Sequence, residues 1–217
     1  MSKYFFSYLI LLSINSVVFA QTKNDPEAKV VLDGVSEKFK TFKTVQALFT
    51  YKVENSTGKA LSSKNGTVKM KGTKYYVNFS GQEIFCDGKV IWNYDRSANE
   101  VTITTLEEGG STITPQKLFT NFYDKDFYYK LNGNKKVAGK TLLEIEMTPT
   151  DKSKPFHKVY LLVDKPAKSI FSTRVLETAG NRYSYTVSSM KTNLILPESQ
   201  FIFNKSKYPG VEVIDLR

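Results

Sequence analysis

Between Asp25 and Lys43 the apolar residues recur at helical spacing. Val31, Leu32, Val35, Phe39 and Phe42 fall on one stripe, and Asp25-Pro26 supplies an acidic cap followed by proline at the first helical position. The spacing predicts an amphipathic helix of about four turns. From Val45 the period drops to two. Val45, Ala47, Phe49, Tyr51 and Val53 alternate with polar neighbours, as do Val68 and Met70, then Tyr75, Val77 and Phe79. Asp87-Gly88 between Glu83–Cys86 and Lys89–Tyr94 predicts a two-residue hairpin, and Val101 and Ile103 continue the alternation.

The period changes again after Ser111. Thr114-Pro115 followed by Leu118, Phe119, Phe122 and Tyr123 predicts a short capped helix with an aromatic face. Strands are predicted at Phe127–Leu131, Thr141–Met147, His157–Val163, Ser169–Glu177, Tyr183–Ser189 and Gln200–Phe203. Turns are predicted at Asn132-Gly133, Lys165-Pro166, Gly180-Asn181 and Pro197. There is no internal repeat and no linker, so residues 21–217 read as a single domain. The fold class is mainly β with helices: about ten or eleven antiparallel strands in one large sheet, with a first helix and a middle helix against it.

Such a sheet curls because strand twist accumulates. Its outer face is rich in Lys, Thr and Asn, so only the two helices remain to cover the apolar concave side. Either large side chains fill that interior or a greasy cavity remains under the middle helix. The inward set comprises Val45, Phe49, Val53, Val68, Met70, Tyr75, Val77, Phe79, Ile84, Trp92 and Tyr94, and Leu118, Phe119 and Phe122 form the lid.

Composition narrows the function. The chain has 217 residues, a net charge of +10, one Cys (Cys86) and one His (His157). These counts exclude a disulfide framework, a multi-cysteine zinc site and any two-histidine metal site. No Gly-x-Ser-x-Gly elbow occurs, so neither an enzyme nor a cofactor is expected. Cys86 reads as an inert buried thiol and His157 as a surface strand residue. The lysines are scattered, which suits a solvated strand face and a weak preference for anionic membrane surfaces, with no nucleic-acid role. Lys3, the apolar stretch from Tyr4 to Leu12 and the small residues of Val17-Val18-Phe19-Ala20 match a secretory signal, residues 1–20, cleaved after Ala20. Its apolar run is too short for an anchor, which needs about 20 residues.

The segment Val45-Gln46-Ala47-Leu48-Phe49-Thr50-Tyr51-Lys52-Val53, the hairpin Asp87-Gly88-Lys89-Val90-Ile91-Trp92-Asn93-Tyr94-Asp95, the Thr114-Pro115 helix and the ending Phe201-Ile202-Phe203 with Pro209-Gly210-Val211-Glu212-Val213-Ile214-Asp215 occur in an order that resembles the periplasmic outer-membrane lipoprotein carrier (LolA) family. The resemblance implies an unclosed antiparallel β-barrel with a helical lid over a hydrophobic cavity. It also implies a monomeric periplasmic carrier of acylated lipoproteins, loaded by an inner-membrane ABC-type complex and unloaded at an outer-membrane receptor, with only transient membrane contact. One departure stands out. Many proteobacterial carriers of the family have Arg-Pro before the third strand, and that Arg hydrogen-bonds the lid; here the stretch reads Lys71-Gly72-Thr73-Lys74, with Lys71 as a looser substitute, and the loop Ser80-Gly81-Gln82 is shorter. This places the chain on a distant branch. The competing readings are a half-barrel binder of another lipid or hydrophobic ligand in envelope lipid or pigment export, an exported hydrolase, and a structural envelope protein without lipid affinity.

Overall fold

A computed structural model describes residues 24–106 and 123–217. Helix α1 spans Pro26–Lys40 and starts where the cap residue predicts. Asp25 Oδ1 accepts from the amides of Glu27 and Ala28 at 2.9 and 3.4 Å. The same residue ties the helix to the sheet, because its Oδ2 accepts from the Leu131 amide at 3.0 Å and its own amide donates to the Tyr129 carbonyl at 3.1 Å.

Twelve strands follow: β1 Thr44–Glu54, β2 Ala60–Lys71, β3 Lys74–Phe79, β4 Gln82–Cys86, β5 Val90–Asp95, β6 Glu100–Thr105, then after a one-turn helix α2 (Tyr123–Asp126) β7 Phe127–Val137, β8 Lys140–Pro149, β9 Phe156–Asp164, β10 Ser169–Glu177, β11 Arg182–Thr192 and β12 Glu212–Asp215. They form one sheet in the order β12-β6-β5-β4-β3-β2-β1-β11-β10-β9-β8-β7. Two meanders, β1 to β6 and β7 to β11, are joined where β1 pairs with β11. The sheet ends at β12 on one side and β7 on the other, so it is not closed into a barrel. Every pairing is antiparallel except β12 with β6.

Three details depart from the sequence reading. The sheet has one more strand than the upper expectation, because the C-terminal Glu212–Asp215 returns as a parallel edge. Gln200–Phe203 is not a strand: Glu198–Phe201 forms a 3-10 turn behind Pro197, which buries Phe201 completely. Asn132-Gly133 is not a turn either. Strand β7 runs through it with a bulge, Gly133 adopting φ +94°, and the chain reverses at Ala138-Gly139, both at positive φ. The expected signal segment and the lid residues Leu118, Phe119 and Phe122 lie outside the described residues. No helix among the described residues is long and apolar enough to cross a membrane.

The inner face of the sheet, on which α1 lies, holds two clusters. Ala28, Leu32 and Val35 of α1 pack on Phe127, Tyr129, Ile145, Met147, Val159, Leu161 and Val163 of β7, β8 and β9. Phe39, from the end of the helix, and Phe42 pack on Val45, Ala47, Met70, Tyr75 and Cys86. A third cluster lies on the opposite face, where residues 198–211 cover β4, β5 and β6.

Candidate functional site

Beyond the end of α1 the inner face stays apolar but is less densely covered by the described residues. The register sets Phe49 of β1 between Gly66 of β2 and Val187 of β11, with Phe79 of β3 next in the row. Tyr51 lies opposite Tyr185, and Val53 opposite Tyr183. The rings touch: Phe49–Phe79 centroids are 5.7 Å apart, Tyr51–Phe79 5.2 Å, Tyr51–Tyr185 4.9 Å and Tyr51–Tyr183 5.9 Å. Gly66 makes this possible, since a Cβ there would collide with the Phe49 ring lying flat on its backbone. Val77 and Ile84 pair across β3 and β4 in the neighbouring row, which continues through Val68 to Ala47. Phe49, Tyr51, Val53, Val77, Phe79 and Ile84 are half-buried, and Tyr185 keeps 43% of its surface exposed. The result is an aromatic and aliphatic floor that the described residues leave half-buried.

The floor is electrically quiet. Burial, then the neighbouring Tyr185 and Tyr183, push the Tyr51 hydroxyl up to about 12, so it stays neutral. The Tyr183 hydroxyl donates to Glu177 at 3.0 Å, and Lys64 at the rim donates to Ser80 Oγ at 2.6 Å. Among the described residues no group of three or more His, Cys, Asp or Glu could hold a metal ion. Such a surface offers apolar area without a reactive group.

The residues expected to line a cavity separate into three groups. Phe49, Val53, Val77, Phe79 and Ile84 belong to the floor. Val45, Val68, Met70 and Tyr75 are buried core beside Phe39 and Phe42. Trp92 and Tyr94 point the other way and are corrected here. Cross-strand pairing aligns Trp92 with Phe85 and Tyr94 with Glu83, on the face opposite Ile84, where Tyr94 meets Tyr208 at 4.5 Å and Phe203 at 6.0 Å. Lys71 is likewise committed elsewhere. It donates to Glu198 at 2.7 Å and to the Leu196 carbonyl at 3.3 Å, holding the C-terminal segment. Tyr183 and Tyr185 were not singled out from sequence, although their alternation with Ser184 and Thr186 carried the signal. Cys86 is fully buried and burial pushes its thiol up, while His157 lies exposed on β9.

The family described as outer membrane lipoprotein carrier protein LolA matches residues 40–204. An outer-membrane lipoprotein carrier protein of Legionella pneumophila (strain Lens) is 25% identical over 209 residues, covering 95% of this chain and 97% of that one. A protein of the same description from Hahella chejuensis is 26% identical over 200 residues, covering 84% and 87%. Among solved structures, an uncharacterized conserved protein from Thermus thermophilus aligns with a TM-score of 0.59 at 16% identity, covering 87% of this chain and 99% of that one, which is a likeness of fold.

Proposed function

The chain belongs to the outer membrane lipoprotein carrier protein LolA family, and from that premise we propose that its inner face takes up the acyl chains of lipoproteins and shields them on the way from the inner to the outer membrane. The observation that carries this reading is the open floor of Phe49, Tyr51, Val77, Phe79, Ile84 and Tyr185. An acyl chain exposed to water costs about 0.8 kcal/mol per CH2, on the order of 10 kcal/mol for a long chain. Half-buried rings recover part of that by contact alone, and a neutral floor sets no directional demand, so the grip is moderate and release is easy. The transfer needs no covalent step. An inner-membrane ABC-type complex fits as the source of cargo and an outer-membrane receptor as the acceptor, with the carrier periplasmic between them.

Depletion of the protein in its own host, followed by membrane fractionation, tests the reading. Lipoproteins are expected to accumulate in the inner membrane. Normal sorting after depletion, together with absence of acylated protein from the purified carrier, would refute it.

A further inference from the structure

The inner face changes character along β2. Met70 and Val68 face inward as buried apolar residues, Gly66 lies under the Phe49 ring, and the next inward position is Lys64, opposite Tyr51. The change from Val68 to Lys64 takes about 13 Å, at about 3.3 Å per residue. Lys64 is exposed, and its ammonium donates to Ser80 Oγ at 2.6 Å. Ser80 is not the residue that its turn selects. Ser80 and Gly81 join β3 to β4 with both φ angles positive, +56° and +88°, an arrangement that favours Asn, Asp or Gly at the first position. A serine held in the left-handed region points to a use for its side chain.

The Ser80 oxygen accepts from Lys64, so the hydroxyl proton is free to donate, and the ammonium keeps further N–H groups. Among the described residues neither group has another hydrogen-bond or ion-pair partner. The carboxylates that flank the floor are engaged elsewhere. Asp95, paired with Gln82, accepts from the Ser97 amide and hydroxyl at 2.7 and 2.6 Å, and Glu177 accepts from the Tyr183 hydroxyl at 3.0 Å. The floor is thus a run of aromatic and aliphatic side chains that ends in a cation and an O–H donor, which is the outline of an amphiphile with a negatively charged head. We propose that the floor also binds lipids whose head is an oxyanion, the chain lying on Phe49, Tyr51, Phe79 and Tyr185 and the head seated on Lys64 Nζ and Ser80 Oγ. The proposal rests on the acyl-chain reading and extends it, because the acyl groups of a lipoprotein end in ester or amide carbonyls, which bring no charge for Lys64 to meet. A fatty acid carboxylate and a phospholipid phosphate present the same chemistry.

The test displaces the uncharged dye Nile red from the purified protein with laurate, with lauroyl lysophosphatidylglycerol and with the neutral monolauroylglycerol, each below its micelle concentration. The anions should bind about tenfold more tightly than the neutral lipid, as one charge-assisted hydrogen bond predicts, and high salt should narrow the gap. A larger gain for laurate assigns the seat to a free carboxylate, and a larger gain for the lysophospholipid assigns it to a phosphate. Lys64→Met should bring the anions down to the affinity of the neutral lipid, leaving that affinity and the unfolding midpoint in place, whereas Lys64→Arg should keep the preference. Ser80→Gly, which suits the turn better, should weaken the anions about threefold without lowering the unfolding midpoint. Equal binding of all three competitors, or an anion preference that survives Lys64→Met, would overturn the proposal and leave the apolar floor standing. Failure of the dye and of every competitor to bind would remove the floor and the proposal with it.

Discussion

Two stretches of the inner face share one alternation and end in different states. On β8 and β9, Ile145, Met147 and Val163 are completely buried. On β1, β3 and β11, Phe49, Phe79 and Tyr185 occupy equivalent inward positions and remain half-open. The strand patterns do not differ; what lies over them does. The first turns of α1 bring Ala28, Leu32 and Val35 down on the former, whereas Phe39 and Phe42 at its far end reach Val45 and Met70. Among the described residues, burial on this face is therefore set by cover as much as by strand sequence, and α1 separates a sealed part from a half-buried part.

The largest expected effect lies in the sealed part. Ile145→Ala removes buried carbons from a site that close packing keeps from collapsing, and should cost about 2–5 kcal/mol in urea unfolding. The same measurement on Phe79→Ala should give a clearly smaller loss, because its ring is already partly hydrated. Equal losses would erase the distinction between the two parts.

Next comes the helix that creates the difference. Asp25→Ala removes a cap that serves two helix amides and the Leu131 amide of β7, and should cost about 1–2 kcal/mol. The Leu131 amide, foremost, holds the Asp25 carboxyl below the ordinary carboxylate range, against a smaller opposing effect of burial. The sign follows: a depressed carboxylate contributes stability that is complete above its unfolded value near 4 and is lost as pH falls through its lower folded value. Unfolding curves of the wild type and Asp25→Ala should converge toward acid pH. Parallel curves down to pH 2 would show that the cap carries no charge-dependent stability.

This helix was fully legible in the sequence, since a cap, a proline and an apolar stripe all agree on it. So was the Asp87-Gly88 hairpin, where Asp87 Oδ1 accepts from the Lys89 and Val90 amides at 2.8 Å. The face taken by Trp92 and Tyr94 was not. Strands β4 and β5 carry apolar residues on both sides, Ile84 beside Phe85 and Ile91 beside Trp92, and alternation cannot say which side is concave. The missing information lay far away in the chain, in Phe203, Tyr208 and Val211, which cover the second side. Gln200–Phe203 failed for a related reason. Phe201 and Phe203 alternate like strand residues, but they pack down onto the sheet instead of pairing within it. At Asn132-Gly133 the turn chemistry was real, but the glycine serves a bulge.

Within the open part, Tyr185→Ala sharpens the comparison by separating stability from binding. Its ring is 43% exposed and contacts Tyr51 and Phe49, so unfolding free energy should fall by less than about 1 kcal/mol. Uptake of a fluorescent fatty acyl probe should weaken several-fold. A loss of stability as large as that of Ile145→Ala, with uptake unchanged, would make Tyr185 a core residue and would remove the floor from the argument.

The smallest effect belongs to the C-terminal segment, which lies outside both parts and should leave the contrast between them intact. Glu198 accepts from Lys71 at 2.7 Å and Lys74 at 2.5 Å, and these two ammonium groups, Lys71 first, hold its carboxyl down at about 2. The contribution of the clamp is thus complete above about 4.5, the ordinary glutamate value, and disappears as pH falls from there to about 2. All three groups are solvent-exposed, so ions screen the attraction and its share of stability is slight. Glu198→Gln should leave the unfolding midpoint at pH 7 nearly in place and should reduce the small salt dependence expected of the wild type there. The amide shifts of Leu196 and Phe201 should move in the variant while those of Phe79 and Ile145 stay fixed. Movement at Phe79 would mean that the segment behind the sheet also governs the floor in front of it, and the division of the inner face by α1 alone would then fail.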